Sequence, residues 1–249
     1  MSHPADDGHP GEHAPRADAT EDPMRLCDGL LAVLREGLPR TLDADVLSPF
    51  AKVPYKASVV DANLGYRLTE LAEATLQLLH SRCVVAAALT ARAAAETAAL
   101  HFYVTKKIED ATTAGRSADA DAILVRALTG AKFPATPEPP INVLTAIDHT
   151  TKAFSIFRDM YDELSEFAHP NWLGTHAPYA VENETEFRVT FDPHFGGGML
   201  SRRIATALSI ALIVDGVSRR ALRRIMPAFT ALCEHEVRQL PSASTLGSS

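Results

Sequence analysis

Cys83–Tyr103 reads CVVAAALTARAAAETAALHFY. Alanine dominates the stretch, and alanine is the strongest helix former. The pattern predicts a helix from about residue 81 to 113, packed closely against neighbours because its side chains are small. Two charges interrupt it. Arg92 and Glu96 stand four residues apart and share one helical face. Almost all their neighbours are Ala, Val or Leu, so the pair is expected to be at least partly buried, and buried charges need partners.

Working toward the N-terminus, Leu64, Leu68, Leu71, Leu78 and Leu79 mark one face of a preceding helix, from residue 62 to about His80. The two helices read equally as separate or continuous. Residues 39–61 carry three prolines and mixed polarity and read as a loop with one helical turn. Leu26, Leu30 and Leu34 predict a helix over 23–38. Residues 1–23 are rich in Pro, His, Asp and Gly and read as a disordered tail.

Toward the C-terminus, residues 116–129 suggest a shorter helix. Residues 133–140 hold four prolines and form a linker. Asn142 is placed to cap a helix running to about Ala168, where Pro170 stops it. Phe187, Val189 and Phe191 then alternate with Arg188 and Thr190, which is strand spacing, and 179–181 can pair with them as a hairpin. A last long helix is expected over 199–240, with Pro227 kinking or dividing it. Residues 241–249 read as a second disordered tail.

The expected fold is therefore all-α: a helical bundle over residues 24–240 forming one domain, with one small β-hairpin at about 179–191 inserted before the last long helix. Hydrophobic residues at 46% and charged residues at 22% suit a packed core. The formal net charge of −7 gives no global basic field to attract nucleic acid. The three cysteines, Cys27, Cys83 and Cys233, are far apart and read as free thiols of a reducing compartment. The apolar runs are broken by charges or fall short of the roughly 20 residues that span a bilayer. A soluble, cytoplasmic protein without a membrane partner is the expectation.

The most informative polar segment is Arg158–Trp172, RDMYDELSEFAHPNW. At 3.6 residues per turn, Arg158, Tyr161, Ser165 and His169 fall within a quarter of the helix circumference. Asp159, Asp162, Glu163 and Glu166 lie largely elsewhere. One stripe thus offers a guanidinium, a phenol, a hydroxyl and an imidazole, followed by Asn171 and the only tryptophan, Trp172. A helix C-terminus favours protonated histidine, which suits holding an anion such as a phosphate. The plainer reading is that Ser165 and His169 satisfy loose backbone carbonyls and Tyr161 packs. Likewise, Arg92 and Glu96 either satisfy each other or face Tyr161, Ser165 and His169 across a helix–helix interface as one polar site.

The Arg92-Ala-Ala-Ala-Glu96 helix, followed by Tyr161-x-x-x-Ser165-x-x-x-His169-Pro170, resembles uncharacterised bacterial proteins with HEPN-like helical bundles, over about residues 64–172. That resemblance implies an α-helical fold, frequent dimers, and a role in toxin–antitoxin or anti-phage systems. Many such domains are metal-independent ribonucleases with an Arg-x(4–6)-His motif, using imidazole and guanidinium on a scissile phosphate. This sequence departs from the motif: Arg158 and His169 are too far apart, Arg92 and His101 also miss, and Arg188 to His194 has the spacing but falls on a strand and loop.

The leading functional expectation is a HEPN-like protein of a bacterial defence or toxin-type system that binds RNA or a nucleotide, with metal-independent RNA cleavage as its candidate chemistry. His169, Arg92, Glu96 and Arg158 are the candidate catalytic residues, and Tyr161, Ser165, Asn171 and Trp172 the candidate binding residues. No cofactor or metal is expected. The alternative is a non-catalytic interaction module with a structural polar cluster, taking a protein partner or a second copy. A weaker one is a metal-dependent hydrolase using His169, His176 and nearby carboxylates. Arg202, Arg203, Arg219, Arg220, Arg223 and Arg224 make the last helix locally basic; they suit either RNA phosphates or pairing with acidic helices.

Overall fold

The computed structural model describes residues 22–133 and 136–239. The tail at 241–249, and all but Asp22 and Pro23 of the tail at 1–23, lie outside them. The fold is a mostly helical bundle with a two-stranded antiparallel hairpin just before the long final helix. In chain order the elements are α1 (Pro23–Glu36), α2 (Ala44–Leu47), α3 (Lys52–His80), α4 (Val84–Ala114), α5 (Ser117–Thr129), α6 (Val143–Ala153), α7 (Ile156–Ala168) and α8 (Trp172–Thr175). Then come β1 (Ala180–Asn183), β2 (Arg188–Phe191), a 3-10 turn at Phe195–Gly197 and α9 (Met199–Gln239).

The alanine-rich helix sits at the centre. α4 packs against α3, α5, α6, α7 and α9. Ala87, Ala88, Ala91, Ala94, Ala95, Ala98 and Ala99 are all fully buried. A helix sheathed in methyl groups lets neighbours approach closely on every side. Gly115 ends it in the left-handed region, φ +66°, where a residue without Cβ carries no steric penalty.

α3 and α4 are two antiparallel helices rather than one. The chain reverses at Ser81–Cys83, with Arg82 at φ 56°. Thr75 then donates to Thr90 at 2.8 Å and Arg67 to Thr97 at 3.1 Å across the pair. A smaller apolar cluster docks α1 through Cys27, Leu31 and Leu34 against Leu68, Leu76, Leu208 and Leu212. The Cys27 thiol also donates to the Ala205 carbonyl, 178 residues away, at 3.2 Å.

Four sequence expectations need correction. Asp22 caps α1, which begins at Pro23 as the 23–38 helix reading expected, so the tail boundary at 23 is one residue too long; proline is preorganised for a first turn. α3 begins at Lys52, so 52–61 is helix rather than loop. Pro54 lies in its first turn, where a missing N–H breaks no helical bond. The helix expected from Asn142 to Ala168 is two helices, because Phe154 leaves helical geometry (φ −131°, ψ 88°) and its ring meets Phe102 edge-on at 5.5 Å. Finally, of the two outcomes expected at Pro227, division does not occur, since α9 continues through it as one helix.

Asn142 caps α6 by accepting from Leu144 N–H at 2.9 Å, and α7 stops at Ala168 with His169 extended ahead of Pro170. The hairpin pairs Ala180 with Phe191 and Asn183 with Arg188. Its alternation does not separate a core face from a solvent face, because every residue of β2 is exposed. Among the described residues no helix is long and apolar enough to cross a membrane.

Candidate functional site

α7 crosses α4 in the antiparallel sense: Phe154 meets Phe102 at one end and Tyr161 meets Arg92 further on. At that crossing a polar group is built between the alanine-rich α4 and the buried face of α7, which carries Phe157, Met160, Tyr161, Leu164 and Phe167. The Tyr161 hydroxyl accepts from Arg92 Nη2 at 3.1 Å and donates to Glu96 Oε1 at 3.1 Å. Arg92 Nε stands 3.3 Å from the same carboxylate oxygen, and the guanidinium lies 5.3 Å from the centre of the Tyr161 ring. Tyr161 is buried, whereas the Arg92 and Glu96 side chains are 31% and 28% exposed. Burial works against the Arg92 charge, but the hydrogen bond and phenol of Tyr161 and the Glu96 carboxylate outweigh it and hold the guanidinium charged.

The other residues of the predicted stripe do not join. Ser165 donates back to the Tyr161 carbonyl one turn earlier, at 2.8 Å. Arg158 is paired outward, with Asp148 on α6 at 2.9 Å and Asp162 at 3.9 Å. His169 is exposed at the end of α7, two turns beyond Tyr161 and thus about 12 Å further along the axis. Asn171 caps α8, accepting from Gly174 N–H at 3.1 Å, and donates to Glu166 at 2.5 Å. Trp172 is exposed and stacks on His176, centroids 6.2 Å apart. His176 in turn faces Glu182 at 2.9 Å. Among the described residues no group of three or more His, Cys, Asp or Glu side chains is arranged to hold a metal.

The half-exposure of the Arg92–Glu96 pair sets the expected cost of breaking it. Replacing Glu96 by Ala removes one partner of a charge-assisted bond that water can partly replace. The loss should be about 1–2 kcal/mol, well below the 3–5 kcal/mol of a fully buried pair. Thermal unfolding should show a midpoint lower by a few degrees; an unchanged midpoint would leave the pair with no structural role.

Sequence reading missed a second and more deeply buried polar group. His101 on α4 is 1% exposed. Its Nδ1 lies 2.6 Å from Asp215 Oδ1 on α9, and its Nε2 lies 3.1 Å from Asp61 Oδ1 on α3, off the direct hydrogen-bond direction. Arg219, one turn beyond Asp215, donates to Asp215 Oδ2 at 2.8 Å, to Asp61 Oδ1 at 2.9 Å and to the Asp61 carbonyl at 3.1 Å. Two carboxylates, an imidazole and a guanidinium thus tie three helices together, and their charges cancel when His101 is protonated. The signal was available: His101 and Asp215 are single polar residues inside apolar helical runs, the argument that singled out Arg92 and Glu96.

Burial disfavours the charge on His101, but the hydrogen bond to Asp215 and the negative charges of Asp215 and Asp61 overcome it and raise its pKa above the ordinary value. Burial also works against Asp215, yet His101 and Arg219 hold its carboxyl below the usual range. A raised histidine pKa stabilises the fold fully below its unfolded value, about 6.5, and that stabilisation is lost as pH rises through the folded value. The thermal midpoint, followed from about pH 5 to 9, should therefore fall more steeply in the wild type than in His101→Gln. Parallel curves would show that His101 does not change protonation on unfolding.

No protein-family model, curated protein or solved structure matches this chain. The site has to be read from its own geometry.

Proposed function

We propose that the chain is a HEPN-like helical protein of a bacterial defence or toxin-type system, and that it binds RNA or a nucleotide where α4 meets α7. The observation that carries this reading is Arg92. It is fixed in place by Tyr161 and Glu96 on an otherwise apolar crossing, yet about a third of it faces solvent. A guanidinium held in one orientation suits a phosphate, which it meets with parallel N–H groups. The order Arg-Ala-Ala-Ala-Glu, then Tyr-x-x-x-Ser-x-x-x-His-Pro, supports the family assignment. In the cleaving form of this reading, Arg92 grips the backbone, Glu96 and Tyr161 position it, and His169 transfers protons at a neighbouring linkage. His169 stands too far along α7 to share one phosphate with Arg92.

Titration of the purified protein with a single-stranded RNA and with ATP tests the reading. Arg92→Ala should weaken binding by about tenfold or more, the value of one hydrogen-bonded charge. Cleavage should persist in a chelator and vanish in His169→Ala without a change in unfolding midpoint. Wild-type protein that binds neither RNA nor nucleotide would sink the proposal.

A second reading, the non-catalytic interaction module, is favoured by the surface around α8 and the start of α9. Trp172, Phe195 and Met199 are all exposed there and line one cleft. Two clefts of about 450 and 460 Å³ share Met199 and Arg203. Exposed aromatic and methionine side chains gathered in this way are characteristic of protein-binding surfaces.

A further inference from the structure

The seven arginines of α9 do not behave alike, and Arg238 is paired with Glu234 at 3.3 Å. Arg219 is buried between Asp61 and Asp215. Arg203 is paired with Glu163 at 2.6 Å, and Arg202 has a partner of its own. Arg220, Arg223 and Arg224 remain. All three are exposed, and none has an ion-pair or hydrogen-bond partner among the described residues.

Their spacing places them on one face within little more than a turn, spanning about 6 Å along the axis. Like charges this close repel, and a chain with 31 carboxylates against 24 basic residues has ample means to neutralise them. Elsewhere Arg35, Arg116, Arg158, Arg188 and Arg238 are each held by a carboxylate, and three exposed arginines without one, Arg25, Arg40 and Arg82, stand far apart along the chain. By contrast, residues 216–233 contain no Asp or Glu. A cleft of about 130 Å³ between α1 and α9 opens beside the group, walled by Leu30, Val33 and Ile213 and edged by Arg220 and Arg223. Apolar walls lower the local dielectric and strengthen the attraction for an anion. The Asp215 and Arg219 side chains that also border it are paired with each other.

We infer that Arg220, Arg223 and Arg224 form a stripe that binds consecutive phosphates of a linear polyanion, with the backbone of single-stranded RNA as the biological source and inorganic polyphosphate as the other source of the same chemistry. The RNA assignment rests on the reading of the preceding subsection; the stripe itself does not. It is a separate contact from Arg92, which faces α7 rather than α1.

The test is fluorescence anisotropy with a labelled oligouridine and, separately, with end-labelled inorganic polyphosphate, each across a series of salt concentrations. Each phosphate neutralised on a single strand contributes about 0.7 to the slope of log affinity against log salt. The triple variant Arg220→Gln, Arg223→Gln, Arg224→Gln should lower that slope by about 2 and weaken binding by tenfold or more at moderate salt. Its unfolding midpoint should be unchanged or higher, because the side chains are exposed and mutually repulsive. A control removing three paired arginines, Arg35, Arg116 and Arg188, matches the change in net charge and should leave the slope nearly intact. Wild-type affinity and slope in the stripe variant, or equal losses in the control, would overturn the inference while leaving the RNA reading to Arg92. Binding of polyphosphate through the stripe without binding of RNA would uphold the stripe and sink the RNA reading. Binding of neither would overturn both.

Discussion

Asp215→Ala is expected to destabilise the protein by about 3–5 kcal/mol, the largest effect of any single side-chain truncation considered. The reason is what the substitution leaves behind. His101 keeps one carboxylate, at poor hydrogen-bond geometry, and Arg219 loses the partner one turn before it while both remain under 10% exposed. A charged group stranded in the core has no water to fall back on, so the loss exceeds the worth of the bonds themselves. Equilibrium denaturation of Asp215→Ala measures the cost. A loss below about 1 kcal/mol, the range of exposed pairs, would show that the four-residue group is solvated in solution. A second variant, Asp215→Asn, keeps the shape and one acceptor. It should recover only part of the loss, because the amide brings no charge to balance Arg219 and His101.

Gly65→Ala is the other large effect expected, and it reaches the same group from the side. Gly65 lies on α3 where the Arg219 guanidinium passes, and an added Cβ would stand 2.9 Å from Arg219 Cζ and closer still to Nη2 and to Leu38 Cδ2. Such contacts are relieved easily when the neighbour is a free side-chain end. Here the guanidinium is held by three hydrogen bonds to Asp61 and Asp215, so moving it means breaking some of them. Overpacking typically costs 1–3 kcal/mol, and the upper end of that range is expected. Alanine should gain helix propensity over glycine at this position. A stabilised Gly65→Ala protein would therefore show that Arg219 moves aside without loss.

What was legible in the sequence was what a single helix announces by itself. The alanine run of α4, the Asn142 cap, the stop at Pro170 and the hairpin before α9 all follow from local chemistry. The pairing of Arg92 and Glu96 with Tyr161 was within reach for the same reason, since two isolated polar stripes on apolar helices had to find partners. Features decided by tertiary contact were not. The break between α6 and α7 depends on Phe154 meeting Phe102, and nothing local at Ser155 announces it. Ser165 and His169 sit on the predicted face, but the hydroxyl turns back to its own helix and the imidazole lies beyond the crossing. The partners of His101 are 40 residues upstream and 114 downstream, and Arg219 looked like one more basic surface residue until its neighbours were known.

The docking of α1 onto α9 also sets an order of events during synthesis. A chain leaves the ribosome N-terminus first, and its domains fold as their residues emerge. The antiparallel α3–α4 pair is contiguous and can close early, because its loop is short. α1 cannot complete its seat at once, since Leu208, Leu212 and the Ala205 carbonyl that receives the Cys27 thiol, 178 residues beyond it, are made much later. Until then the apolar face of α1 lacks part of its cover, and His101 waits without Asp215 and Arg219. A message truncated before α9 would release a helical intermediate with an unsealed core and an incomplete charge cluster, a species prone to aggregation and open to chaperones and proteases.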